Sequence, residues 1–142
     1  MEDKNSLIYL AYGSNMNHGQ MAERCPGARC LGSTYLEDWV LTMPSYANIE
    51  ESRGSRVPVV LWEISPVHEK TLDGYEQYPT MYDKWELTVE LDGRPVTAMV
   101  YIMTKAWERR GQEIRPGYEE GILEAYGQNG FKDEEYRPLR FS

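Results

Sequence analysis

The sequence predicts an α+β fold, a small mixed β-barrel flanked by helices. The order of the elements favours it, because a strand and a helix come first, hairpin-like strands follow, and one helix comes late. The length favours it too, since 142 residues can bury one good core but not two. We therefore expect a single domain over residues 1–142. Hydrophobic residues make up 41% and charged residues 27%, which argues against a disordered or fibrous chain.

The N-terminal part predicts a strand, a loop and a helix. Residues 7–11 (LIYLA) form a short apolar run of the kind found inside a sheet, and Gly13 ends it. Asn15 or Asn17 can cap a helix over residues 16–24, which the Cys-Pro-Gly segment after it terminates.

Two further strands are predicted over residues 39–43 (WVLTM) and 57–64 (VPVVLWEI). The segment between them, residues 44–56, is polar and has no apolar period. We expect a mobile loop there, and a loop of this kind can act as a lid over a site.

A helix is predicted to begin after Ser65 and to run to about Glu76. Serine is a favoured N-cap, and Pro66 suits the first helical position. Four residues fall on one face at helical spacing: Val67, Thr71, Leu72 and Tyr75.

The strongest local signal is a hairpin. Residues 85–91 and 96–102 alternate between apolar and polar, and Asp92-Gly93 between them is a typical two-residue turn.

The last helix is predicted over residues 116–126, with Tyr118, Ile122 and Tyr126 at helical spacing and Gly127 closing it. We expect residues 131–142 to pack against the domain as an extension.

Charge and composition exclude several classes of protein. A net charge of −8 repels nucleic acid and anionic lipid, so we expect neither as a partner. No apolar run approaches the roughly 18 residues of a membrane span, and the start MEDKNS lacks the apolar core of a signal peptide, which predicts a cytoplasmic protein. Two cysteines and two histidines give no zinc-binding spacing and no clear nucleophile–base pair, so we expect no metal and no covalent catalysis.

The loop Tyr12-Gly13-Ser14-Asn15 is the first candidate site. Glycine after a strand lets the backbone approach a ligand closely, and the N–H groups that follow can bind a carboxylate or an oxyanion. The same residues are equally compatible with a tight turn and a helix cap. The loop alone does not decide between these two interpretations.

The second candidate is Glu76, within the segment LDGYEQYPTMY at residues 72–82. It falls at the carboxyl end of a predicted helix, among three tyrosines. The helix dipole and burial among rings both disfavour a charged carboxylate, so a buried Glu76 should have a raised pKa. A glutamate of that kind can accept and return a proton near neutral pH, whereas an exposed one would be an ordinary helix end.

Together these stretches resemble the γ-glutamylcyclotransferase-like family, in particular its short bacterial, AIG2-like members related to γ-glutamylamine cyclotransferases. The matching segments are AYGSNMNHGQMAERCPGA, LDGYEQYP and PGYEEGILEAYGQNGF, at residues 11–28, 72–79 and 116–131. The resemblance implies the small barrel-like α+β fold with one pocket. It also implies cleavage of a small γ-glutamyl amine or γ-glutamyl amino acid to 5-oxoproline and a free amine, with no cofactor.

The resemblance further implies roles for individual residues. Glu76 would be the general acid and base, because the substrate's own α-amine attacks its γ-carbonyl and no catalytic serine or cysteine is needed. Backbone N–H groups of Gly13, Ser14 and Asn15 would bind either the glutamyl carboxylate or the oxyanion. Tyr12 would shape the loop, while Tyr82 and Tyr118 would close the pocket and donate hydrogen bonds.

The chain departs from the family at Gln77, where glycine usually follows the catalytic glutamate. A side chain there could narrow or reshape the pocket. This leaves an alternative function, a non-catalytic module that binds a small ligand on the same fold.

Overall fold

The structure, a computed structural model, describes residues 6–108 and 113–140. Six strands form one sheet in the order β4-β5-β1-β3-β2-β6. The strands are β1 (Leu7–Ala11), β2 (Arg29–Met43), β3 (Asn48–Ile64), β4 (Tyr82–Leu91), β5 (Arg94–Met103) and β6 (Leu139–Arg140). The helices are α1 (His18–Arg24), α2 (Pro66–Tyr75), α3 (Lys105–Glu108) and α4 (Tyr118–Gln128).

The sheet is mixed. Strand β1 lies inside it, antiparallel to β3 and parallel to β5, and its last three residues are buried. Strand β2 pairs antiparallel with β3 and, at one end, parallel with β6. The predicted α+β class, with a small mixed sheet and flanking helices, is confirmed.

The barrel is completed by side chains rather than by a backbone ladder. Strands β2 and β4 are not neighbours in the sheet, yet the Thr34 hydroxyl donates to the Glu90 carbonyl oxygen at 2.7 Å. The rings of Trp39 and Trp85 also meet edge to face, with centroids 6.5 Å apart. The sheet is therefore strongly curved, and among the described residues it does not close through hydrogen-bonded strands.

The prediction of a mobile loop over residues 44–56 is wrong. Residues 48–56 belong to β3, and only residues 44–47 connect β2 to β3. Strand β2 also begins ten residues earlier than residues 39–43 suggested. The polar pattern is misleading because residues 50–56 are half-buried or exposed, while residues 48–51 and Arg56 pair with β2 and residues 52–55 form an irregularity between them.

Helix α2 begins as the sequence predicts. The Ser65 hydroxyl accepts from the His68 backbone N–H at 3.2 Å, and His68 Nδ1 accepts from the Ser65 N–H at 3.1 Å, which forms a capping box. The predicted apolar face is only partly buried: Leu72 is in the core, but Val67 is 72% exposed. Tyr75, 56% exposed, lies beneath the Arg24 guanidinium, which is 4.1 Å from its ring centroid.

The predicted hairpin is confirmed and extends over all of β4 and β5. Leu91 pairs with Arg94. Asp92 and Gly93 have φ values of 52° and 78°, as a two-residue turn with a right-handed twist requires.

Helix α4 confirms the last predicted helix with its bounds shifted by two residues. It begins at Tyr118 because Gly117, with a φ of 84°, is not in a right-handed helical conformation. Its buried residues are Ile122, Ala125 and Tyr126. The chain after it returns to the sheet as β6, and residues 141–142 of the predicted extension lie outside the described residues. No described helix combines the length and apolarity that a membrane crossing needs.

Candidate active site

A cavity of about 240 Å³ opens where β1, α2 and α4 meet. The loop after β1, the carboxyl end of α2, the first residue of α4 and the β2–β3 connection all contribute to its wall. The wall includes every site residue that the sequence predicts: Tyr12, Gly13, Ser14, Asn15, Glu76, Tyr82 and Tyr118. The structure thus brings together residues from three distant parts of the chain, while their chemical roles remain predictions.

Position 13 needs a glycine because the loop backbone comes close to the β2–β3 connection there. A Cβ placed on it would lie 3.0 Å from the Cβ of Ala47 and 3.7 Å from the Tyr118 hydroxyl oxygen. Any side chain here would displace the β2–β3 connection. The glycine therefore lets the loop backbone form part of the cavity wall.

The helix cap and the cavity wall use different asparagines. Asn17 caps α1, because its side chain accepts from the Gln20 N–H at 3.1 Å. Asn15 is buried in the cavity wall, where Oδ1 accepts from Arg24 Nη1 at 2.9 Å and Nδ2 donates to the Tyr9 hydroxyl at 3.0 Å. Asn15 thus holds a cation and a phenol beside the cavity.

Glu76 is the carboxylate of the cavity. It follows the last residue of α2, and burial raises its pKa to about 7, against the opposing effect of the Arg24 guanidinium. Within the described part of the chain, its carboxyl group has no hydrogen-bond partner, so both oxygens remain available to a ligand. The half-ionised carboxyl near neutral pH is the state that proton transfer needs.

Five tyrosines lie near Glu76, four of them buried and Tyr118 partly buried, and each remains protonated. Burial is the main cause of their raised pKa values, and the charge of Glu76 raises the pKa of every one of them. They are Tyr9, Tyr12, Tyr82, Tyr101 and Tyr118. A neutral phenol can donate one hydrogen bond, so the direction of each proton determines what the cavity offers a ligand.

Three of these hydroxyl protons already have acceptors in the protein. Tyr12 donates to the carbonyl oxygen of Tyr101 at 2.6 Å, and the Tyr101 hydroxyl donates to Asp73 Oδ1 at 2.7 Å. Tyr82 donates to the carbonyl oxygen of Ala47 at 2.7 Å. These rings shape and brace the cavity, and their protons are not directed to a ligand.

Tyr118 and Tyr9 differ, because their hydroxyl oxygens act as acceptors. Tyr118 accepts from the Ala47 N–H at 3.0 Å, and Tyr9 accepts from Asn15 at 3.0 Å. Neither hydroxyl donates to a group within residues 6–108 or 113–140. Both protons are therefore available to a molecule in the cavity.

Asp73 fixes the helix that carries Glu76. Its carboxylate accepts from Tyr101 and forms an ion pair with Lys84 at 2.9 Å, and Lys84 also bonds Glu69 at 2.7 Å. These contacts tie α2 to β4 and β5 one helical turn before Glu76. The position of the carboxyl group is therefore set by the sheet and not by the helix end alone.

Sequence reasoning missed four cavity residues that bear on chemistry: Tyr9, Arg24, Tyr101 and Arg115. The signal for Tyr9 was a phenol within the otherwise apolar run LIYLA. Arg24 lies within the segment that resembles the family, but only the fold shows that its side chain lines the cavity. In the described ranges, no three His, Cys, Asp or Glu side chains group as metal ligands.

Comparisons with known proteins identify the family and the fold of this chain. A family model described as gamma-glutamyl cyclotransferase, AIG2-like, matches residues 9–121. A Bos taurus protein named gamma-glutamylcyclotransferase is 30% identical over an alignment that covers 72% of this chain and 62% of the relative. The chain thus spans less than two thirds of that relative's length.

Solved structures share the architecture. An uncharacterized protein from Homo sapiens superposes with a TM-score of 0.81 at 24% identity, over 98% of this chain and 92% of its own. A structure named gamma-glutamyl cyclotransferase superposes with a TM-score of 0.74 at 25% identity, over 91% of this chain and 83% of its own. The first of these likenesses shows the fold alone.

Proposed function

Because the chain belongs to the gamma-glutamyl cyclotransferase, AIG2-like family, we propose that it is a γ-glutamyl cyclotransferase with Glu76 as its general acid and base. Its substrate is a small γ-glutamyl amine or γ-glutamyl amino acid, and its products are 5-oxoproline and the free amine. The reaction takes place in the cytoplasm and uses no cofactor. Cyclotransferase activity in general is what the family match and the 30% identical relative support.

One observation carries the proposal: Glu76, with a pKa raised to about 7 by burial, shares a cavity with the backbone of Gly13 to Asn15. A base near neutral pH and a set of hydrogen-bond donors are the two parts that the reaction needs. The nucleophile comes with the substrate, so the proposed reaction needs no activated serine or cysteine.

The proton path follows from this arrangement. Glu76 takes one proton from the substrate's α-ammonium group, and the free amine then attacks the γ-carbonyl carbon to form the ring C–N bond. As the bond to the leaving nitrogen breaks, Glu76 returns that proton to it. The attacking nitrogen loses its second proton, which the released amine takes up, so the amine departs as the ammonium ion. The bent substrate replaces a bimolecular encounter, which lowers the entropic cost.

Tyr118 and the Gly13 loop form the donor wall of the cavity. The Tyr118 hydroxyl lies 3.7 Å from the Cβ position of Gly13, and its proton is not used within the described protein. The wall holds either the glutamyl carboxylate or the developing oxyanion. Tyr118→Phe separates the two, since losing a carboxylate contact raises KM, whereas losing an oxyanion contact lowers kcat.

The decisive experiment is turnover of a panel of γ-glutamyl amines and γ-glutamyl amino acids, with 5-oxoproline measured by mass spectrometry. We expect the wild-type protein to release 5-oxoproline from at least one of them, and Glu76→Gln to reduce kcat about 10²–10⁴-fold. Glu120→Gln on the exposed first turn of α4 is the matched control and should retain full activity.

The alternative is a non-catalytic binding module, which Gln77 suggested. Gln77 lines the cavity but is exposed, so its side chain has room to lie at the rim. Calorimetry on the same panel separates the two functions. If substrates bind saturably to both wild type and Glu76→Gln but no 5-oxoproline forms, the enzyme proposal fails and the binding module stands.

A further inference from the structure

Arg24 is a half-buried cation in the wall of the cavity around Glu76. It is the last residue of α1. Its guanidinium lies 4.1 Å from the ring centroid of Tyr75, and Nη1 donates to Asn15 Oδ1 at 2.9 Å. Within residues 6–108 and 113–140 it forms no ion pair. Charged groups that leave water are normally paired, so this guanidinium points to an anion that enters the cavity.

Two contacts hold the guanidinium in place and leave most of its N–H groups open. The Tyr75 ring lies against it. Asn15 is itself fixed, because its Nδ2 donates to the Tyr9 hydroxyl at 3.0 Å and its carbonyl oxygen accepts from Trp62 Nε1 at 3.0 Å. Among the described residues, only Nη1 of the guanidinium has an acceptor. The rest of the fork is available to a carboxylate, which it matches in a bidentate manner.

Arg24 and Glu76 are arranged in a way that fits the head group of an amino acid. Burial raises the pKa of Glu76 to about 7, and the Arg24 guanidinium is the charge that opposes this rise. Both side chains line the cavity, yet in the described part of the chain no ion pair joins them. An α-amino acid carries an ammonium group and a carboxylate on one carbon, so its partners must have opposite charge and lie close together without pairing. Glu76 and Arg24 meet this requirement.

The cavity wall contains a second arginine, Arg115, which is exposed. An exposed guanidinium stays hydrated and contributes little to an ion pair. Arg24 is half-buried and bonded to Asn15 in the loop after β1. The better place for a carboxylate is therefore at the Asn15 side of the cavity.

We propose that Arg24 binds the α-carboxylate of the γ-glutamyl group, while Glu76 faces the α-ammonium group on the same carbon. This role rests on the proposed function and assigns one end of its substrate. The N–H groups of Gly13 to Asn15 and the Tyr118 hydroxyl are then left for the γ-carbonyl oxygen as it becomes an oxyanion. A substrate of this protein must accordingly have a free α-carboxylate.

Binding of the reaction product tests the role of Arg24 without turnover. The ligands are 5-oxoproline and its neutral amide, 5-oxoprolinamide, and calorimetry measures their affinities. We expect the wild-type protein to bind the acid at least about tenfold more tightly than the amide. Arg24→Gln should lose this preference, and Arg24→Lys should keep part of it because it keeps the charge. Arg53→Gln, at an exposed position of β3 outside the cavity wall, is the matched control and should keep all of it.

Steady-state kinetics gives a second measurement. On a substrate that releases 5-oxoproline, Arg24→Gln should raise KM about 10–100-fold and change kcat less than about threefold, because the carboxylate is bound before and during the reaction. The α-carboxamide of the same substrate should raise KM in the wild type by a similar factor. With Arg24→Gln the carboxamide should cause no further rise.

These measurements separate the role of Arg24 from the proposed function. If no γ-glutamyl compound is turned over, the proposed function fails, whereas the comparison of acid with amide still decides whether Arg24 binds a carboxylate. If circular dichroism shows that Arg24→Gln does not fold, Arg24→Lys decides, with a preference at least about threefold smaller than that of the wild type. Equal or absent binding of acid and amide in the wild type, an unchanged preference in the Arg24 variants, or its loss in Arg115→Gln instead would each overturn this role.

Discussion

Glu76 and Glu135 each line a cavity, one near each end of α4, and both side chains are partly buried. Burial raises the pKa of Glu76 to about 7. Hydrogen bonds from the Tyr35 hydroxyl and then from the Lys132 N–H hold the pKa of Glu135 below its ordinary value. The same residue type is therefore a proton-transfer group in one region and a fixed anion in the other.

The cause of the difference is the direction of the neighbouring phenol protons, not the presence of phenol rings. Glu76 has five tyrosines nearby, but none donates to it. Glu135 has one tyrosine that donates to it directly. A carboxylate that receives hydrogen bonds stays ionised, whereas one that is only buried tends to keep its proton.

The largest expected effect is on the pH dependence of turnover. Since the base form of Glu76 is needed, kcat/KM should fall about tenfold per unit below pH 7, or about 100-fold by pH 5. Initial rates measured from pH 5 to pH 9 at subsaturating substrate give the profile. A flat profile between pH 5 and pH 8 would mean that Glu76 titrates as low as Glu135, and the contrast between the two regions would be lost.

The second effect compares two phenols of the same cavity. Tyr118→Phe should reduce kcat/KM about 10–100-fold, because it removes a proton that is available to the substrate. Tyr82→Phe should reduce it only a few-fold, because that proton is bound to the Ala47 carbonyl. Steady-state kinetics on one substrate is sufficient, with circular dichroism as the check on folding. Equal losses in the two variants would contradict the assignment of the protons.

The third effect is on stability. Glu76 has a folded-state pKa of about 7 against an ordinary value of 4.5, so its contribution to stability is fully present below about pH 4.5 and is lost as the pH rises through 7. The difference of 2.5 units corresponds to roughly 3 kcal/mol at most. Glu76→Gln should therefore have a higher free energy of unfolding than the wild type at pH 8. At pH 5 this gain should be smaller or absent.

Urea unfolding of both proteins at the two pH values measures this difference. Glu135 has the opposite sign, since a lowered pKa gives stability that is lost as the pH falls. A gain of equal size at pH 5 and pH 8 would show that the buried charge is not its source.

The smallest effect concerns Gln77, which has a φ of 51° beside Glu76. A residue with a side chain is strained in the left-handed region. Glycine removes that strain, although it loses more conformational entropy on folding. We expect Gln77→Gly to raise the free energy of unfolding by about 0.5–1 kcal/mol at pH 7. A destabilised variant would show that the Gln77 side chain contributes contacts at the cavity rim.

The parts of the fold that depend on residues adjacent in the sequence could be predicted from it. Asp92-Gly93 defines its hairpin, and Ser65-Pro66 defines the start of α2, because each acts through its own backbone. Residues 48–51 could not be predicted as a strand, since they are held there by pairing with β2, and residues 52–55 form an irregularity in that pairing. Local polarity carries no information about a partner strand.

The candidate site divides in the same way. The Gly13 loop and Glu76 could be named from short motifs and from a family resemblance. The sequence could not show which phenol protons are free. Tyr12, for example, donates its proton to the carbonyl oxygen of Tyr101, which is 89 positions away. The partners of Tyr118 and Tyr82 are likewise 71 and 35 positions away.

The seam between β2 and β4 has a consequence for the behaviour of the protein in concentrated solution. Strand β4 is an outer strand of the sheet. Among the residues that the structure describes, the outer side of β2 is paired only at Thr42 and Met43, with β6. Unpaired strand edges are templates for aggregation. Here the two edges face each other, Thr34 occupies the Glu90 carbonyl, and the Trp39–Trp85 contact covers the gap. Each edge therefore shields the other from strand addition by a second molecule.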